Sequence, residues 1–222
     1  EELRRKAIRM RNADYGPAMK TETPHTVQFT QDIQHPRIEK GHRSVEIWKR
    51  EPHARVSVTF DRIASTDPEL FFLDFSLPRP VPLPVFSSGG MAFTPYRDQL
   101  KGSCRDHFAI DGWAQYRTDA GQWLWVTRDA PLVAVGGPHT LEMHQAEPAD
   151  THRITAMVFD NSWHTNFVAD SHGTMEFQFE LAWAPEIVDP AALAEALTSG
   201  PIVFTNPAEH DPPVLIKAFQ KG

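Results

Sequence analysis

Residues 175–183 read Met-Glu-Phe-Gln-Phe-Glu-Leu-Ala-Trp, and their alternation is strict. Met175, Phe177, Phe179, Leu181 and Trp183 are large and apolar, with Glu176, Gln178 and Glu180 between them. Side chains on a strand point alternately to opposite faces, so this stretch is a half-buried strand, one face in a core and one solvated.

Period 2 governs the chain from about Val27 onward. Val56, Val58 and Phe60 share one face and Arg55, Ser57 and Thr59 the other. In Leu70–Leu77 both faces are apolar, which predicts a strand covered on both sides. Arg79–Phe86 has proline at every second position up to Pro84 and cannot donate to a central ladder, so it is an edge or a crossover between sheets. Further strands are expected over 108–116, 122–127, 132–135, 140–144 and 153–159. One internal helix is signalled: Asp189 suits the N-cap, Pro190 the first helical position, and Gly200 the stop. Residues 1–12 carry Leu3, Ala7 and Met10 at helical spacing, and a Pro- and Thr-rich stretch follows. The chain is therefore expected to hold a helical or extended linker over 1–26 and one β-sandwich domain over 27–222. The fold class is mainly β, a large antiparallel β-sandwich with few short helices.

Composition narrows the function classes. With 41% hydrophobic residues, 14 Phe and 6 Trp, there is ample material for a packed core. Lys and Arg total 22 against 29 Asp and Glu, and the basic residues are scattered, which argues against nucleic acid as a partner. No stretch approaches the roughly 20 apolar residues of a membrane span, and no hydrophobic signal segment is seen. The reading is a soluble protein of unassigned compartment. Cys104 is the sole cysteine, so no intrachain disulfide forms, and a buried or half-buried thiol is expected. The chain opens on Glu1 rather than Met, which fits a piece of something longer.

The alternating strand is preceded by a dense polar-aromatic stretch: Asp160, Asn161, Trp163, His164, Thr165, Asn166, Asp170 and His172. Asp160, His164, Asp170 and His172, with His139 and His144 before them, lack any zinc-type spacing, and solvated histidines are the commoner explanation. Cys104 and His107 are three apart and would point to opposite faces of a strand, so they form no nucleophile–base pair. No phosphate-cradling glycine loop is present. Carboxylate pairs for glycoside hydrolysis need a separation that spacing alone does not supply. Aromatics beside amides and carboxylates suit sugars, whose C–H faces stack on rings while hydroxyls take hydrogen bonds. "DNSWHTNF" and "AIDGWAQY" have that composition. The candidate carbohydrate-binding residues are Asp111, Trp113, Asp160, Asn161, Trp163, His164 and Asn166. For Trp113 and Trp163 the competing reading is simple burial in the core.

"N-S-W-H-T-N-F" followed by an alternating aromatic strand resembles a segment of the C-terminal region of family 38 glycoside hydrolases, the α-mannosidase type. "FAIDGWAQYRTDAGQWLWVTRDAPLVAVGG", with Arg128-Asp129-Ala130-Pro131-Leu132-Val133, is similar to a second segment of the same proteins. Together the two cover about residues 104–183. The resemblance implies a mutarotase-like supersandwich. It also implies a catalytic α/β domain upstream in the same polypeptide, holding zinc through His and Asp and using an aspartate nucleophile. Nothing in this chain resembles that domain. The implied role is a non-catalytic C-terminal domain that shapes the sugar pocket and packs on the catalytic domain, with no cofactor of its own. An apolar interface patch is then expected. The alternatives are a free-standing carbohydrate-binding module, a purely structural or oligomerisation sandwich, and a sugar epimerase pairing His164 with Asp111 or Asp160. The Asp160–Asn166 turn reads either as structural, most of all at Asn161 and Asn166, or as ligand-contacting, most of all at Trp163 and His164.

Overall fold

The computed structural model describes residues 11–77, 81–139, 143–162 and 170–199. In chain order its strands are β1 (Asp14–Tyr15), β2 (Met19–Glu22), β3 (Thr26–Gln34), β4 (Ile38–Trp48), β5 (His53–Arg62), β6 (Leu70–Ser76) and β7 (Val85–Ser88). They continue as β8 (Met91–Phe93), β9 (Phe108–Ala109), β10 (Trp113–Thr118), β11 (Gly121–Thr127), β12 (Leu132–Val135), β13 (Arg153–Asp160) and β14 (Gly173–Ala184), before helix α1 (Pro190–Thr198). The chain is mainly β. A large sheet runs β1-β3-β4-β5-β14-β11-β10-β7-β8, with β2 also on β3, and a small sheet runs β6-β13-β12-β9. The strand pairs are antiparallel throughout.

The core lies between the sheets. From the large sheet come Val58, Phe60, Phe177, Phe179 and Trp125; Phe71, Leu73, Phe75, Val133, Ile154 and Ala156 face them from the small one. Phe75 sits at the centre, its ring 4.7 Å from Phe179 and 5.4 Å from Trp125. Each such ring contributes about 1.5–3 kcal/mol by leaving water. A second core forms on the back of the large sheet. There Trp113, Leu124, Val126 and Ala182 are closed off by Ile187 and by Ala194 of α1. The helix starts where expected, with Asp189 Oδ1 accepting from Ala192 N at 2.9 Å.

Several expectations change in detail. Residues 108–116 are two strands in different sheets. The break is at Gly112, whose φ of +100° suits glycine, and any Cβ there would lie 3.1 Å from the Thr127 carbonyl oxygen. Residues 14–15 and 19–22 pair with β3 as strands, whereas residues 1–10 lie outside the described residues. Of the segment 140–144, residues 140–142 also lie outside them, and Met143 and His144 are not in a strand. The proline-rich stretch joins β6 in one sheet to β7 in the other, with Val81 and Leu83 buried, so it is a crossover. Glu180 was expected on the solvated face of its strand but is 2% exposed. Its carboxylate accepts from His53 Nε2 at 2.8 Å and Arg55 Nε at 2.7 Å, which supplies the partners a buried charge requires. Cys104 is exposed, not buried.

The small sheet is narrower than the large one, and among the described residues it leaves part of the large sheet's inner face uncovered. Phe29, Val45 and Val56 continue the cross-strand row of Phe179; Val27, Ile47 and Ala54 continue that of Leu181. Phe29 and Ile47 are 38% and 36% exposed, although they lie on the core-facing side of their strands.

Candidate functional site

Both stems of the polar-aromatic stretch are fastened to one connection, the turn between β5 and β6. On the incoming side, Asp160 Oδ1 accepts from Ser162 N at 2.7 Å and Ser162 Oγ at 2.6 Å, a side-chain turn that bends the chain out of β13. Asn161 is 6% exposed. Its Oδ1 accepts from Glu69 N at 2.5 Å and its Nδ2 donates to Ser65 O at 3.3 Å. On the outgoing side, Asp170 Oδ1 accepts from Ser65 N at 3.1 Å and from Arg62 Nη1 at 3.1 Å, while Oδ2 pairs with His172 Nδ1 at 2.9 Å. The Ser65 N–H, then His172 and Arg62, hold the Asp170 carboxyl below the usual carboxylate range.

Arg62 closes the clasp. Its guanidinium, with no side-chain exposure, also donates to Glu69 Oε2 at 2.9 Å and Ser171 O at 2.5 Å, and lies 4.1 Å from the Phe159 ring centroid. Arg37 pairs with Glu69 and Asp67 from the other side. Asp160 and Asn161 are thus stem residues. Trp163, His164 and Asn166 lie outside the described residues.

A second constellation lies on the outer face of the small sheet. His107 directly precedes β9, at one edge; Phe72 belongs to β6, at the other. Three strand spacings separate these edges, about 14 Å of backbone. Yet the two rings are 6.2 Å apart and nearly parallel, 8° between planes. Both side chains therefore lean inward over the strands between them. Around His107 stand Asp106, His139 and Asp160, near enough to act on its charge. Burial, the largest influence, and His139 push the imidazole below its ordinary pKa, while the two carboxylates pull the other way. His107 is therefore neutral at pH 7, and its Nε2 is buried without a hydrogen-bond partner.

Asp106, 1% exposed, is held by backbone. It accepts from Met143 N and His144 N, both at 2.7 Å, and from His144 Nδ1 at 2.9 Å. Met143 has a φ of +55°, the turn that aims both amides at one carboxylate. Burial alone would raise this carboxyl; the amides and the imidazole override it and hold it below its ordinary value. His139 packs on His144 at 4.3 Å between ring centroids. Sequence reasoning weighed Asp106 only as one of several carboxylates for glycoside hydrolysis, with Asp111, Asp129, Asp160 and Asp170, and His107 only as a partner for Cys104. The signal it missed was their adjacency just before a strand.

Asp111 and Trp113 are elsewhere. Asp111 accepts from Gly90 N at 2.8 Å, and Trp113 is 8% exposed in the second core. Both line a groove of about 960 Å³ beside α1, with Arg128 and Glu195 at its rim. The structure therefore does not bring Asp111 and Trp113 together with Asp160 and Asn161: the first two line the large sheet and the others end a strand of the small one. Among the described residues, no group of three or more His, Cys, Asp or Glu side chains is arranged to hold a metal ion, and no helix is long and apolar enough to cross a membrane.

The chain matches no protein-family model and no curated protein. Among solved structures, the galactose mutarotase related enzyme from Lactobacillus acidophilus aligns with 78% of this chain and 72% of its own, at 12% identity and a TM-score of 0.37. A likeness at that level carries no argument about what this chain binds.

Proposed function

We propose that this chain is a carbohydrate-handling β-sandwich, the C-terminal, non-catalytic part of a glycoside hydrolase of the α-mannosidase type. The observation that supports sugar binding is the outer-face constellation. Phe72 offers a half-buried ring stacked on the His107 imidazole, and Asp160 a carboxylate at the stem of the Trp- and Asn-bearing stretch. Pyranose rings call for that mixture of apolar face and convergent polar groups. Phe29 and Ile47, exposed among the described residues beside the half-buried Val27 and Val45, support a second protein surface packing there, the role given to the upstream domain. Zinc belongs to that upstream domain in this reading, and no step here runs through it.

Calorimetric titration of the 222-residue chain with methyl α-D-mannopyranoside tests the reading, alongside an assay of aryl α-mannoside hydrolysis by the same chain. Saturable binding at millimolar sugar without hydrolysis is expected. Heats that do not saturate, or turnover by this chain alone, overturn it.

A further inference from the structure

Trp123 of β11 and Trp183 of β14 are cross-strand partners on the inner face of the large sheet. Trp125 shares that face two residues further along β11 and is 1% exposed, sealed against Phe75 of the small sheet. Trp123 and Trp183 lie one row beyond Trp125 and are only half-buried, with Trp123 at the margin of the core. Their ring centroids are 5.6 Å apart and their planes 32° from parallel, so neither ring wholly covers the other's face.

The two indoles line a cavity of about 300 Å³ with Pro52, Pro185 and residues 120–122. Its walls are held in place. Trp183 N donates to Pro52 O at 3.0 Å, and the β10–β11 turn lies so close to the end of β14 that a Cβ on Gly121 would stand 3.0 Å from Ala184 O. Gln122 turns its amide to the back of the sheet, where Oε1 accepts from Gln115 Nε2 at 2.9 Å and Ile187 N at 2.8 Å. The polar handles left to the cavity side are the indole N–H groups. Among the described residues neither has a hydrogen-bond partner, and neither is among the unpaired side-chain atoms shut away from solvent, unlike Trp125 Nε1. An indole that is apolar on its faces and wet at its N–H suits a ligand divided in the same way.

Resting on the sugar reading above, we propose that this cavity is a saccharide site. The C–H face of one uncharged pyranose packs on Trp123 and Trp183, and its hydroxyl oxygens accept from their Nε1–H groups. The volume stands at the lower end of the range for ligand sites, about 300–1,000 Å³, which suits a single sugar ring. Among the described residues none that lines the cavity is charged, so a carboxylated or phosphorylated sugar would give up water there and meet no cation. The site lies on the inner face of the large sheet, apart from Phe72 and Asp160 of the small one.

The test records the indole N–H signals by 15N-resolved NMR, assigned with Trp123→Phe and Trp183→Phe, while the 222-residue chain is titrated with methyl α-D-mannopyranoside and separately with cyclohexanol. Both indole signals are expected to move on the sugar with one saturating Kd. Trp183→Phe keeps an aromatic face but loses one N–H, and should weaken that binding about fivefold with its melting temperature retained. Three results overturn the proposal while leaving sugar binding intact: saturable heats with both indoles unmoved, an equal response to cyclohexanol, or indole shifts that follow protein concentration alone, the sign of a contact between protein surfaces. If neither heat nor any resonance responds to the sugar, the sugar reading itself falls, and this site with it.

Discussion

Asn161 sits in the polar-aromatic stretch that suggested sugar binding, but its geometry is that of a stem fastener, and a single substitution separates the two roles. Its amide makes two side-chain hydrogen bonds, from Glu69 N at 2.5 Å and to Ser65 O at 3.3 Å, from a position 6% exposed. Asn161→Ala removes both: the longer bond is worth about 1 kcal/mol, and loss of the shorter costs about 1–3 kcal/mol because the part-buried Glu69 N–H is left without its acceptor. The backbone bond from Asn161 N to Glu69 O at 3.0 Å survives, so the strand end does not unravel and the total is roughly 2–4 kcal/mol. For a chain of this length each kcal/mol is worth about 2–4 °C, so melting should fall by roughly 5–15 °C. Asn161→Asp keeps the acceptor and loses only the longer bond, and should lose about 1 kcal/mol. Circular dichroism melts and urea titrations read both variants. An alanine variant that melts within about 2 °C of the parent, or an aspartate variant as damaged as alanine, refutes the argument.

Other consequences are open to similar tests. Arg62→Met should be the more damaging change, about 3–5 kcal/mol by urea unfolding, because it strips a fully buried cation from Glu69 and Asp170. A loss under about 1 kcal/mol would mean that the clasp is not under stress. The pH dependence has a definite sign. Burial lowers the pKa of His107, and likewise of His35, below the unfolded value of about 6.5. Below that pH the unfolded chain takes up protons that the native one resists, so this contribution to stability is present above about pH 6.5 and is lost as pH falls toward the native pKa. Urea midpoints of the parent and of His107→Phe from pH 7.5 to 5 isolate the His107 share. The parent should lose more than the variant on acidification, and equal losses would refute the assignment.

The clasp also bears on how the two sheets communicate. Arg62 ends β5 in the large sheet, and Asn161 follows β13 in the small one, yet both reach the residues 65–69 that connect the sheets. The stretch beyond Asn161 leaves the small sheet and returns at Gly173 to the large one, so its two ends are held by different layers and pinned at one seam.

Much of the fold was legible because it is local. Period 2 depends only on neighbouring side chains pointing to opposite faces, so β5, β11, β12, β13 and β14 stand where their alternation puts them. The start of α1 was equally local, one carboxylate three residues from an amide. Periodicity names the faces of a strand but not its neighbours, and what lay beyond it needed the tertiary structure. Glu180 obeys the alternation and is still buried, because His53 and Arg55 come from a strand about 125 residues earlier to pair with it. Trp113 belongs to a core only because α1 folds back over that side of the sheet. Arg62 and Asp170 are 108 residues apart, and Phe72 and His107 begin at opposite edges of a sheet. The sequence by itself determined which segments become strands and which way their side chains point. Only the packing of the two sheets decided which polar groups meet, because a site built from long-range contacts has no period to read.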